Sequence, residues 1–473
     1  MNNEWNNTAT VEPLPMTESQ LEEIRAAIRD SLKKTEKGGS ANTLQNCVVI
    51  MENDPLLKGA VRRNLLTGCV DIFGKMPWHR ETTRLTDRDF PFIMLIFDKY
   101  YGISLERNIR NALEISANRN GYHPIRSYLQ SLRWDGMPRV KEALHHFLGA
   151  ERNGYNEEFL HIFMLGAVKR VFHPGTKFEL MLNLIGGQGA GKSTFLRFLA
   201  VRDEWFSDDL KRLEDENVFR KLQGKWIIEL SEMVATANAR STEDIKSFVS
   251  RCSDTYKVPY DRYPEDHDRQ CVFAGTSNRM DFLPMDRSGN RRFLPVEVHP
   301  DRAEVHILDN EAESRAYIDQ MWAEIMAEVD TGECKTWLTK EEERRLIVAQ
   351  ENFVQEDTTA GQIYGFMDTC PYNQVCTRLL YRESLGHQYD EPKQWEIREI
   401  RDIVNSGIAT GVLKGWRQYK NSRRYEKYGT QRGWERIPPP EQISLEIPSG
   451  YVLLKDEEIP PDFPWKNTHT KDS

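Results

Sequence analysis

The 473-residue sequence predicts an α/β core around a glycine-rich loop, with a mainly helical segment before it and a small basic unit after it. Three observations carry that expectation. A buried-strand pattern at residues 179–185 (ELMLNLI) runs straight into Gly186-Gly187-Gln188-Gly189-Ala190-Gly191-Lys192-Ser193-Thr194, and residues 195–200 continue as a helix. Between about 155 and 300, apolar strands alternate with helical stretches, the layout of an open sheet covered by helices. Residues 401–436 then hold nine Lys or Arg against three acids, inside a chain of net charge −9.

The length exceeds one ordinary core, and 39% hydrophobic with 29% charged residues is a globular balance. Apolar runs such as 90–97 stop well short of the roughly 20 residues a bilayer span needs. Residues 1–10 show no basic start followed by an apolar stretch, and seven scattered cysteines without a CxxC pair argue against a disulfide framework. Cys370 and Cys376, the closest pair, read as reduced thiols. The expected compartment is the cytoplasm, with no membrane partner.

Residues 1–16 read as a loose tail. Thr17 with Gln20 forms a capping-box pattern opening a helix striped by Leu21, Ile24, Ile28 and Leu32. KGGS at 37–40 is a break, and helices are expected at 90–101, 104–118, 127–132 and 139–148, the last two separated by the turn Asp135-Gly136-Met137-Pro138. A helical segment around 316–329 follows the core, and the polar stretch 351–360 reads as a linker. The expected division is 1–120 (mainly helical), 121–300 (core), 301–360 (helical extension and linker), 361–436 (basic unit) and 437–473 (acidic, Pro-containing tail).

The order strand, glycine loop, helix has a chemical reason. Glycines let backbone N–H groups curl around phosphates, and the helix N-terminus adds a positive dipole end. Lys192 can reach the outer phosphates of ATP, and Ser193 can ligate Mg²⁺. A carboxylate on a neighbouring strand must hold the metal, and another must polarise the attacking water. The run 226–232 (WIIELSE) supplies Glu229 and Glu232 at or just past a strand end. Glu229 is assigned to the metal and Glu232 to the base, although the reverse also fits the spacing. The run 271–278 (CVFAGTSN) ends in Asn278, placed to bond the γ-phosphate or the water. Asp286-Arg287-Ser288-Gly289-Asn290-Arg291-Arg292-Phe293 then offers Arg291 or Arg292 as an arginine finger to a neighbouring subunit. His145, His146, His161 and His173 have no carboxylate or Cys at ligand spacing and read as ordinary histidines.

This order of motifs resembles the virulence-associated protein E family, close to the superfamily 3 helicases. The supporting residues are His123-Pro124-Ile125 with Tyr128-Leu129, Leu132-Arg133-Trp134-Asp135-Gly136, the loop 186–194, Trp205-Phe206-Ser207-Asp208, and the runs 226–232, 273–278 and 289–293. The likeness is close from about 120 to 300 and weaker out to Arg436. It implies an AAA+-like core, a homo-oligomeric ring of six, ATP sites at subunit interfaces, and movement along single-stranded or forked DNA. Many relatives carry a long N-terminal primase-polymerase domain; the roughly 120 residues here are short for one, so a separate primase is expected.

The resemblance also implies a pore hairpin in the interval before Asn278, where Lys257 and Arg262 would contact phosphates and Tyr256 or Tyr260 would stack on bases. The helix expected at 396–405 and the strand-like material after 407 fit a winged-helix unit, with Arg417, Lys420, Arg423 and Arg424 as phosphate contacts. A basic docking surface for a replication partner is the alternative. Two other functions stay open at this point: an ATPase that remodels protein complexes, and a nucleotide-gated initiator that binds DNA without unwinding it.

Overall fold

The computed structural model describes residues 17–437 except 211–212, 214–217, 233–238, 257–263, 284–289, 333–334 and 355–356. The expected N-terminal tail and all but the first residue of the acidic tail therefore lie outside the described residues. Two compact units divide the chain, Met1–Glu356 and Asp357–Ser473.

The first unit begins with α1 (Glu18–Ser31), α2 (Leu44–Asn53), a short antiparallel pair β1 (Val61–Arg63) and β2 (Val70–Ile72), α3 (Phe90–Tyr101) and α4 (Glu106–Arg119). The Thr17/Gln20 capping box forms and starts α1 where the pattern placed it. Ile28, Ile50, Val61, Phe97, Ile109 and Leu113 share one buried cluster. The β1–β2 pair was not legible, because three-residue strands are too short to display a period of two.

Next come α5 (Pro124–Ser131), α6 (Val140–Leu148) and α7 (Gly154–Phe172). α7 has apolar residues on every side, and twelve of its 19 residues are buried. That is why it shows no stripe. The core then runs β3 (Met181–Ile185), α8 (Lys192–Leu199), β4 (Phe206–Ser207), α9 (Val218–Leu222), β5 (Ile227–Ser231), α10 (Ala239–Ser250), the antiparallel pair β6 (Ser253–Tyr256) and β7 (Glu265–Asp268), β8 (Val272–Ser277), β9 (Phe293–Glu297), α11 (Glu311–Thr331) and α12 (Lys340–Glu351).

Five strands form one parallel sheet in the order β4-β5-β8-β3-β9. Helices cover parallel sheets on both faces, which explains the unbroken apolar runs in β3 and β8, every residue of which is buried. Trp226 and Trp322 stack 4.4 Å apart and tie α11 to the sheet, with Trp322 Nε1 donating to the Leu199 carbonyl at 3.0 Å. Among the described residues no helix is long and apolar enough to cross a membrane.

The second unit contains α13 (Thr358–Thr369), β10 (Gln374–Cys376), α14 (Thr377–Leu379) continuing as a π-turn (Leu380–Ser384), α15 (Gln394–Ala409), β11 (Trp416–Gln418), β12 (Arg423–Tyr425), β13 (Gly429–Gln431) and β14 (Gly433–Arg436). β10, β14 and β11 make an antiparallel sheet in that order, and the β12–β13 hairpin is inserted between β11 and β14. The core includes Ile363, Met367, Leu380, Ile400, Ile403, Trp416 and Trp434. Cys370 and Cys376 are buried free thiols.

Candidate functional site

The site assembles at the carboxyl ends of β3, β5 and β8, where an open parallel sheet leaves its ligand crevice. β3 ends at Ile185, and the chain turns through Gly186 to Gly191 before α8 starts at Lys192. Three of these positions require glycine. Gly189 (φ 80°) and Gly191 (φ 78°, the N-cap of α8) lie in the left-handed region, and a Cβ on Gly186 would stand 2.6 Å from the Val298 carbonyl oxygen. Gly187, Gln188 and Gly189 are exposed, Ala190 is buried, and Thr194 is half-buried on the first turn of α8.

Lys192 is only 7% exposed. Its Nζ donates to the carbonyls of Gly186 (2.7 Å) and Gly187 (2.8 Å) and to Asn278 Oδ1 (3.0 Å). Burial lowers its pKa from the ordinary lysine value, and the charges of Glu232 and Glu229 pull the other way.

Glu229 in β5 is fully buried. Its Oε1 accepts from Ser193 Oγ (2.7 Å), Ser231 Oγ (2.8 Å) and Thr276 Oγ1 (2.5 Å). Its Oε2 is buried without a partner among the described residues. An unsatisfied buried group of this kind costs on the order of 1–3 kcal/mol, and a carboxylate beside hydroxyl oxygens is the hard donor set that magnesium prefers. Glu232, one residue past β5, has φ 53°, an uncommon backbone conformation for a non-glycine residue. Its carboxylate accepts from the Asn278 backbone N–H (2.7 Å) and from Ser277 Oγ (3.2 Å). Lys192, Asn278 and Glu232 thus form one connected chain. Ser231, Thr276 and Ser277 belong to this cluster but were not singled out from sequence, since a small hydroxyl at a strand end carries no motif.

Arg291 and Arg292 sit elsewhere. β9 is parallel to β3, with Phe293 opposite Met181 and Glu297 opposite Ile185. The arginines precede Phe293 at the foot of the sheet, while the loop leaves its top. The five residues of β3 place them about 16 Å apart along the strand axis. Their partner is Glu179, 3.4 Å from Arg291 Nη2 and 3.3 Å from Arg292 Nε.

The interval before Asn278 forms the β6–β7 hairpin, whose base is fastened by Arg269, donating from Nε (2.6 Å) and Nη2 (2.8 Å) to the Asp254 carboxylate. Tyr256 is stacked on His267 at 4.0 Å. Lys257, Tyr260 and Arg262, and likewise 286–289, lie outside the described residues. In the second unit, Arg417 (3.0 Å) and Arg423 (2.7 Å) both pair with Glu435, while Lys420 and Arg424 are exposed. His146 and His161 bond Glu304 (2.8 Å) and Glu328 (2.5 Å), and His145 bonds the Ala150 carbonyl (2.8 Å). No cluster of metal-ligating side chains occurs among the described residues.

Residues 129–355 match the family model of the virulence-associated protein E-like domain. Similar solved structures include the apo C-terminal region of NrS-1 (residues 305–718), 13% identical, covering 80% of this chain and 96% of that one with a TM-score of 0.42. An A-form apo structure of the same region is 12% identical over the same shares, with a TM-score of 0.44. No curated protein matches the chain. The matched residues contain the glycine loop, the buried glutamate and the arginine pair, so the likeness to the virulence-associated protein E-like domain spans the candidate site.

Proposed function

We propose that this chain is an ATP-hydrolysing DNA translocase, acting as a helicase in the replication of a phage, plasmid or mobile genomic island in the cytoplasm. One observation carries the reading: Lys192, Ser193, Glu229, Glu232 and Asn278 converge from three strand ends on a single glycine loop. The loop and Lys192 would hold the phosphates of ATP. Ser193 and Glu229 would hold Mg²⁺, directly or through water, and the partnerless Glu229 Oε2 fits that role. Bound magnesium would neutralise phosphate charge. Glu232, next to Asn278, would orient and deprotonate the attacking water, with Asn278 responding to the γ-phosphate.

The strand order β4-β5-β8-β3-β9, with β8 between the loop strand and the glutamate strand, supports an AAA+-like core. Arginines about 16 Å from the loop of their own chain fit a finger that serves the next subunit of a ring, as in a hexamer. In the second unit, the long helix α15 lies in sequence between β10 and β11, and the antiparallel sheet of order β10-β14-β11 with its inserted hairpin supports the winged-helix reading. DNA would then meet the β6–β7 hairpin, including Lys257 and Arg262, and the basic second unit. A separate primase would supply primers.

The test is ATP hydrolysis with and without single-stranded DNA, alongside strand displacement on a forked duplex. Wild type should hydrolyse ATP faster with DNA, and Lys192→Ala should not turn over. Hydrolysis indifferent to DNA would point to a remodelling ATPase. DNA-stimulated hydrolysis without strand displacement would point to an initiator.

A further inference from the structure

The two adjacent arginines are not equivalent in their surroundings. The Arg292 Nε–H lies between Ser250 Oγ at 2.9 Å and Glu179 Oε2 at 3.3 Å. Both contacts use the inner nitrogen, and neither terminal Nη makes a hydrogen bond among the described residues. The backbone is fastened as well, because the Arg292 carbonyl accepts from the Met181 N–H at 2.7 Å and β9 starts at the next residue. Arg291 instead uses a terminal Nη2 on Glu179, at a long 3.4 Å, and its side chain is 61% exposed against 24% for Arg292. A pair that exposed contributes little, and the side chain keeps rotamer freedom that would be lost on binding.

Glu179 itself is held for this task. Burial opposes its charge, yet Arg292, the Ser250 hydroxyl, Lys177 and Arg291 together keep its carboxyl below the usual range. Ser250 Oγ stands 3.1 Å from the same carboxylate oxygen and 2.7 Å from the Lys246 carbonyl, one proton being shared between them. Ser250 is also the last residue of α10, and β6 begins at Ser253, so the clamp stands at the foot of the hairpin.

We infer that Glu179 and Ser250 are positioning residues that clamp Arg292 by its Nε and present its two-nitrogen fork to the nucleotide of a neighbouring subunit, making Arg292 rather than Arg291 the finger. A planar fork with parallel N–H bonds is the geometry a phosphoryl group accepts. The inference rests on the ring ATPase reading proposed above.

The experiment uses the full chain, with steady-state ATP hydrolysis in Mg²⁺ and single-stranded DNA. Arg292→Ala should lower kcat by about 10³-fold or more, the usual weight of a finger, and Arg291→Ala by less than about tenfold. Glu179→Gln should lower kcat by roughly tenfold or more through misplacement, with KM for ATP unchanged because each chain keeps its own loop. Mixing Glu179→Gln chains with Lys192→Ala chains should restore turnover, since the latter bring an intact clamp to their neighbours; a merely structural defect would not be restored in this way. Ser250→Thr, which keeps the hydroxyl, should exceed Ser250→Ala in kcat. The inference is overturned if Arg291→Ala loses as much as Arg292→Ala, if Glu179→Gln turns over like wild type, or if its loss resists mixing. Full turnover by the Arg291→Ala/Arg292→Ala double variant would instead remove the finger reading itself.

Discussion

Glu229→Gln separates a metal-holding carboxylate from a structural one. The amide is isosteric, and its oxygen can still accept from Ser193, Ser231 and Thr276. Each of those bonds changes from charge-assisted to neutral, a loss of about 1 kcal/mol apiece and about 3 kcal/mol for the three. Against this, the variant no longer buries a charge whose Oε2 lacks a partner, a relief on the order of 1–3 kcal/mol. Net stability should therefore shift by no more than about 2 kcal/mol. Function should shift more. Removing the only charge in that donor set forfeits roughly 3 kcal/mol of metal-dependent stabilisation, or about 10² in turnover. Thermal unfolding with and without Mg²⁺ and ATP, together with kcat, reads both effects. Wild type should gain about 2.7 kcal/mol of stability at a nucleotide concentration a hundred times Kd, and the variant should lose the magnesium-dependent part of that gain. A variant that unfolds far below wild type without nucleotide, or one that hydrolyses ATP normally, would refute the reasoning.

Two further predictions concern other parts of the chain. Burial, assisted by Arg126 and opposed by the Gln270 bond, pushes buried His123 from 6.5 down to about 4. Its Nδ1 accepts from the Arg126 N–H at 3.2 Å and its Nε2 faces Gln270 Oε1 at 2.6 Å, as one neutral tautomer can. The folded value lies below the unfolded one, so its contribution is fully present above pH 6.5 and is lost as the pH falls towards 4, on the order of 2–3 kcal/mol. His123→Asn keeps an N-cap for α5, and urea midpoints at pH 7 and 4.5 should then fall less than in wild type; an equal fall would disprove this. Lys420→Ala/Arg424→Ala removes two exposed cations of the second unit. DNA affinity should weaken across sequences, with the slope of log K against log salt reduced by about 1.4–1.8; an unchanged slope would exclude this surface.

Much of the candidate site was legible because its central piece is contiguous. The strand, the glycine loop and the lysine are neighbours in sequence, and loop geometry restricts which residues can stand there. His123, one of the residues carrying the family resemblance, shows its reason only in three dimensions, where it caps α5 and reaches Gln270 147 positions away. The aromatics interleaved with the C-terminal cations divide in the same way. Trp416 and Trp434 are 2% and 1% exposed and pack in the core. Alternation alone does not tell a core face from a binding face in strands of three or four residues.

By itself the sequence determined the loop, the apolar strands that bury it, the acidic and amide strand ends, and the basic bias of the second unit. These depend on local backbone chemistry and hydrophobic periodicity, which are written in adjacent residues. Only the tertiary structure decided which groups meet. Glu229 gathers hydroxyls from positions 36, 2 and 47 residues distant. Parallel strands also place the residues entering one strand and those leaving its neighbour at opposite ends of the sheet, so the arginines that enter β9 stand far from the loop that leaves β3.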